Sequence, residues 1–162
     1  PIEIGLLVLI QSISNQIDLP IVAAGGIVDG KGMASVFAAG AEGIQMGTRF
    51  VSSAESPVHS NFKDTIVNSS IDGTLILNKK SKPVIRALKT ELTEKIDQIG
   101  EMDMSALMKI KELYFDGDMN AAPALSGQSV GLIDKVKNVK DIIDETINEF
   151  NKVCKDMGQI KF

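Results

Sequence analysis

Residues Leu19 to Phe50, LPIVAAGGIVDGKGMASVFAAGAEGIQMGTRF, decide how this chain folds. Ile21-Val22-Ala23-Ala24 is a continuous apolar run of strand length, and Gly25-Gly26 ends it. Gly43-Ile44-Gln45-Met46 is a second strand candidate, ended by Gly47-Thr48. Between them Lys31 to Ala39 reads as a helix, with Asp29 as N-cap and Gly40 at the C-terminal end. A strand, a helix and a strand within about thirty residues form a βαβ unit. Its crossover is right-handed, so the strands are parallel. Both strands then end, and both glycine turns lie, at the same side of the sheet.

That placement has a chemical consequence. Without a Cβ, glycine lets a ligand approach the backbone N–H groups closely. Two neighbouring turns of free N–H groups make an anion cradle, and a helix N-terminus adds partial positive charge. The loops after the seventh and eighth strands of a (β/α)8 barrel form a phosphate site of this kind. Thr48 offers a hydroxyl donor and Arg49 a charge. The alternative is that the glycines serve tight turns only.

Composition narrows the rest. The chain has 162 residues, 44% of them hydrophobic, enough for one domain or one domain with an appendage. Its 17 basic and 21 acidic residues show no basic cluster suited to nucleic acid. The longest apolar run, Ile4 to Ile10, is too short to cross a membrane. Cys154 is the single cysteine, which excludes an internal disulfide and fits a reducing cytoplasm. A single histidine, His59, rules out a histidine-rich metal site and reads as a surface residue in the first turn of a helix. No signal peptide is visible, and a first residue of Pro1 leaves room for lost upstream sequence.

Helices are expected elsewhere. Ile4 to Ile17 carries Leu6, Leu9, Ile10, Ile13 and Ile17 at helical spacing, while Leu7 and Val8 suggest burial on a second side. Ser56-Pro57 signals a helix running to Asn68. Thr74 to Leu77 is β-prone. Ser81-Lys82-Pro83 opens a predicted helix to about Ile99 with Val84, Leu88, Leu92 and Ile96 on one face. Met104 to Tyr114 is another. The last helix, Asn138 to Lys155, has the apolar stripe Val139, Ile142, Ile143, Ile147, Phe150 and Cys154. Between these last two lies Ala124 to Leu132, where Gly127 allows close approach and the Gln128 amide can both donate and accept.

AAGGIVDGKG followed by GAEGIQMGTRF resembles the flavin-binding half of the nitronate monooxygenase (2-nitropropane dioxygenase) family, whose fold also includes enoyl-acyl-carrier-protein reductase II. The resemblance continues through Glu55-Ser56, Val84 to Lys89, Gly117-Asp118 and Ser126-Gly127-Gln128, and so covers essentially the whole chain. It implies an α/β fold: the last two strands of a (β/α)8 TIM barrel with an appended, mostly helical small domain. Residues 1–50 would be the barrel part, 51–120 the small domain over the cleft, and 121–162 a return loop and closing helix. It implies FMN held by Gly25, Gly26, Gln45, Met46, Gly47, Thr48 and Gln128, with no metal. The substrate would be a nitronate, oxidised with oxygen, or an enoyl thioester, reduced with NAD(P)H. The family's Gly-Gly-His segment, whose histidine is linked to catalysis, would lie upstream of Pro1, so the catalytic residue is not assigned. A full barrel of this type takes eight strands and about 250 residues. The chain is therefore expected to need a missing N-terminal half or a second copy as partner, or else to be an inactive fragment that only binds phosphate or FMN.

Overall fold

The computed structural model describes residues 4–161. The chain divides into two compact units, residues 1–46 with 138–162, and residues 47–137.

The first unit is built on the predicted βαβ segment. Strand β1 (Val22–Ala24) pairs parallel with β2 (Gly43–Gln45), with Val22 opposite Gly43 and Ala24 opposite Gln45. Helix α2 (Gly30–Ala38) connects them, and Asp29 caps it by accepting from the Gly32 N–H at 2.8 Å. Gly40 ends that turn at a φ of +107°, a conformation that glycine adopts without Cβ strain. Ile10, Ala23, Ile27, Val36, Ala39 and Ala41 form the core of this unit.

Helix α1 (Leu6–Ser14) is shorter than the expected Ile4 to Ile17. Only Ile10 of the expected stripe is fully buried, and Leu9 and Ile17 are exposed. Leu7 and Val8 are 48% and 63% exposed, so the expected second side has no cover among the described residues.

The C-terminal helix α6 (Val139–Met157) closes the first unit by packing on α2. Its stripe is corrected by a rotation. Ile142 and Thr146 are buried, whereas Ile143, Ile147 and Cys154 are exposed. The cause is Gly30. A Cβ there would meet the Phe150 amide nitrogen and would lie 2.5 Å from the Thr146 carbonyl oxygen. The α6 backbone at Thr146 to Phe150 therefore faces α2, which turns the Ile143–Ile147 line aside. Phe37 seals the contact edge-on to Phe150, with ring centroids 5.2 Å apart.

The second unit begins with a single helical turn, α3 (Thr48–Val51), followed by α4 (Ser60–Val67). Helix α4 starts four residues later than Ser56 because His59, not Ser56, is its N-cap: His59 Nδ1 accepts from the Asn61 N–H at 3.1 Å. His59 is half-buried, and a Cβ on Gly117 would run into its ring. Its surface reading is corrected accordingly.

Strand β3 (Thr74–Leu77) forms as expected. The helix expected from Ser81 to Ile99 does not. Ile85–Leu88 is strand β4, antiparallel to β3 with Leu77 opposite Ile85, and only Glu91–Ile99 is helix α5. Buried Asn78, at a φ of +59°, turns the hairpin and binds the Pro83 carbonyl through Nδ2 at 2.9 Å. Thr90 and Thr93 cap α5 reciprocally, which fixes its start. The expected helix Met104 to Tyr114 is instead a 3-10 turn (Met104–Lys109) and a π-helical turn (Glu112–Asp116).

Substituting Gly30→Ala should lower the unfolding free energy by about 3 kcal/mol, because backbone atoms cannot move aside as a flexible side chain would. Gly43→Ala is the control, since its Cβ would first meet Val22 at an ordinary 3.4 Å. Urea titrations of both variants against wild type measure the difference.

Candidate functional site

The parallel register places the C-terminal ends of β1 and β2 at the same end of the sheet. Gly25 and Gly26 leave β1 with φ of +115° and +72°, both in the range where a side chain would be strained. A Cβ added to either would meet nothing within 4 Å, and the same holds at Gly47. The turns are therefore open rather than filled by side chains. Such a backbone suits an oxyanion approaching N–H groups directly.

The structure places each predicted residue as follows. Gln45 is the last residue of β2, exposed, and opposite Ala24. Met46 is half-buried against the core of the first unit. Gly47 precedes α3 and Thr48 opens it. Gln128 is exposed and starts a 3-10 turn, Gln128–Leu132. Thr48 and the Gln128 segment are brought together: the Gly127 N–H donates to Thr48 Oγ1 at 2.8 Å across 79 residues of sequence. Nothing in the residue pattern announced that bond, although a hydroxyl beside a glycine turn is a natural partner for a distant amide.

Two expected contributions to an anion site are corrected. At the N-terminus of helix α2, two of the N–H groups already have carboxylate acceptors. Asp29 takes the Gly32 N–H, and the Glu149 carboxylate of α6 accepts from the Gly30 N–H at 2.9 Å. Two protein carboxylates thus occupy the positive end of the helix dipole. Arg49 does not present its charge to a turn either. It is 5% exposed, and its Nη1 donates to the Lys135 carbonyl at 3.0 Å and to Ser52 Oγ at 3.4 Å. The guanidinium is part of the interior of the second unit.

A groove of about 470 Å³ in the second unit is lined by Asp64, Thr65, Asn68, Ser69, Ser70, Gly73 and Lys89 and includes none of the predicted residues. Next to it the Asp72 carboxyl is drawn down to about 2, first by the hydrogen bond from Lys89 at 2.7 Å and then by that from Ser70. That is the behaviour of an exposed ion pair rather than of a reactive group. Among the described residues no group of three or more His, Cys, Asp or Glu side chains is placed to hold a metal ion. None of their helices is long and apolar enough to cross a membrane.

Comparison with known proteins agrees with the resemblance read from the two glycine motifs. The sequence model of the nitronate monooxygenase family matches residues 1–149. A probable nitronate monooxygenase of Staphylococcus aureus is 30% identical over 158 residues, which cover 93% of this chain and 44% of that protein. FabK from Thermotoga maritima superposes with a TM-score of 0.91 at 38% identity, covering 98% of this chain and 53% of FabK. Nitroalkane oxidase from Streptomyces ansochromogenes shares the fold, with a TM-score of 0.81 at 22% identity over 95% of this chain and 46% of its own. The mixed α/β fold is thus that of barrel-family structures, and the chain spans about half the length of these relatives.

Glu149→Gln should weaken the cap on α2 and cost about 1 kcal/mol of stability. It should open no anion site there, because Asp29 still accepts from the Gly32 N–H and the substituted amide oxygen can still accept from that of Gly30. Thermal melts combined with isothermal titration of phosphate measure both, and a gain in phosphate affinity would reopen α2 as a ligand site.

Proposed function

The chain belongs to the nitronate monooxygenase family, and from that premise we propose that it is the C-terminal part of a flavin-dependent oxidoreductase that binds FMN. β1 and β2 would be the last two strands of a (β/α)8 barrel, and the second unit would belong to the appended small domain. The observation that carries the reading is the pair of open glycine turns following two parallel strands, in a chain matched by the family over residues 1–149. The backbone amides of Gly25, Gly26, Gly47 and Thr48 would hold the phosphate. Gln45 and Met46 would lie beside it, and Gln128 would reach the flavin edge.

When bound, FMN supplies the electron or hydride transfer. The chain's own part is to bind and orient the cofactor. Nitronate oxidation by oxygen is the first reading, supported by the family match and by the Staphylococcus aureus relative. A second reading is NAD(P)H-dependent reduction of an enoyl thioester. It is favoured by the higher identity, 38%, to FabK, an enoyl-acyl-carrier-protein reductase. Both readings need the rest of the barrel, supplied by an N-terminal half or a partner copy, and both suit a cytoplasmic enzyme.

The 162-residue chain should quench FMN fluorescence on titration and take on the yellow colour of a flavoprotein. Failure to take up FMN removes the flavin reading. With the complementary half present, oxygen uptake on propyl nitronate supports the first activity, and NADH oxidation dependent on crotonyl thioester supports the second. Flavin binding with neither turnover would reduce the chain to a cofactor-binding fragment.

A further inference from the structure

The Gln128 segment is held at two points on its N-terminal side, both inside the second unit. Toward the hairpin, the Leu88 N–H donates to the Ala124 carbonyl at 2.9 Å and the Ser126 N–H to the Arg86 carbonyl at 3.2 Å, while Leu125 bridges Ala87. These contacts pin Ala124–Ser126 to β4 through a single antiparallel bridge. The next residue leaves the sheet, and its amide is taken by Thr48 Oγ1 at 2.8 Å. Val130, two residues after Gln128, is fully buried. Gln128 is thus an exposed side chain carried between fixed points, and Thr48 is the one that lies at a glycine turn.

A threonine hydroxyl has two lone pairs and one proton. One lone pair of Thr48 receives the Gly127 N–H. No described protein group accepts the proton. A Cβ on Gly127 would sit 3.3 Å from Thr48 Oγ1, so glycine there keeps the hydroxyl uncrowded. The hydroxyl therefore has two working sides: one engaged by the Gln128 segment, the other open to an acceptor at the Gly47–Thr48 turn.

We propose that Thr48 is a positioning residue whose hydroxyl couples binding of a phosphate-type oxyanion at its turn to the placement of the Gln128 segment. The proposal rests on the flavin-phosphate reading above. When Thr48 donates to an anion oxygen, its own oxygen becomes a stronger acceptor for the Gly127 N–H, since hydrogen bonds in a chain polarise one another. The coupling is reciprocal: a held segment favours the anion as much as the anion favours the segment.

The test uses the 162-residue chain as wild type, Thr48→Ser and Thr48→Val, with Thr48→Ala in place of Val if the latter unfolds. Inorganic phosphate and FMN are the probes. Hydrogen exchange at the Gly127 amide reads the latch, and fluorescence titration reads affinity. Without ligand, exchange at Gly127 should be faster in Thr48→Val than in wild type or Thr48→Ser. With FMN, wild type and Thr48→Ser should slow that exchange by about fivefold, the low end of ordinary coupling. Thr48→Val should bind FMN about tenfold more weakly, as expected for loss of one hydrogen bond to a charged group, with no ligand response at Gly127. Equal ligand-free exchange in wild type and Thr48→Val overturns the latch. FMN binding to wild type without a change at Gly127 overturns the coupling alone. If neither probe binds wild type, the flavin reading falls and the coupling with it.

Discussion

Two helices meet at backbone distance through Gly30, and the position of the first glycine turn depends on that contact. A pair of three-residue parallel strands is too small to be stable by itself. What holds it is α2 against α6, with the Phe150 amide and Thr146 carbonyl where a Cβ would have been. Glu149 adds a carboxylate to the N-terminal end of the same helix, and Lys31 approaches that carboxylate at 3.6 Å. The turn at Gly25-Gly26 lies four residues before this junction. One of its ends is fixed by strand pairing and the other by a helix whose Gly30 and Gly32 N–H groups are taken by carboxylates.

That engagement changes what the turn can do. A helix N-terminus with free N–H groups attracts anions, and from sequence α2 looked like part of a phosphate cradle. With Asp29 and Glu149 already there, a phosphate would face two negative charges at that end. In the first turn, the positive-φ glycines Gly25 and Gly26 leave open space beside their backbone. In the other unit Arg49 is buried, and its Nη1 donates to the Lys135 carbonyl and to Ser52 Oγ.

Legibility followed the range of the interactions. The βαβ segment was readable because its signals are local: apolar runs, an aspartate cap and glycine stops. The hairpin was not. Val84, Leu88, Leu92 and Ile96 repeat at helical spacing, yet the first two belong to strand or its approach and the last two to α5. What separates them is the Thr90–Thr93 cap, a local signal that the longer apolar period masked. Helix α6 was correctly located but rotated, because Ile147 is the more hydrophobic residue while Thr146 is the buried one. Thr146 satisfies its hydroxyl on the Ile142 carbonyl at 2.7 Å, so burying it carries little penalty. Only the partner helix, through Gly30, decides that choice. The Thr48–Gly127 bond, spanning 79 residues, lies beyond any local pattern.

The exposure of β1 bears on the proposed barrel. Parallel strands in α/β proteins are normally covered on both faces. Here only Ala23 of β1 is buried, while Val22 is 61% exposed and Ala24 is exposed as well. The covered face packs on the helices of the first unit. The other carries an apolar side chain that a solvent-facing strand would not favour. In a (β/α)8 barrel that inner face is filled by side chains from alternate strands in layers. Val22 and Ala24 suit such layers, and Gln45, paired with Ala24 at the C-terminal end, would stand at the rim where barrel enzymes place their polar groups. The alternation along β1 thus supports the barrel reading on grounds independent of the glycine motifs.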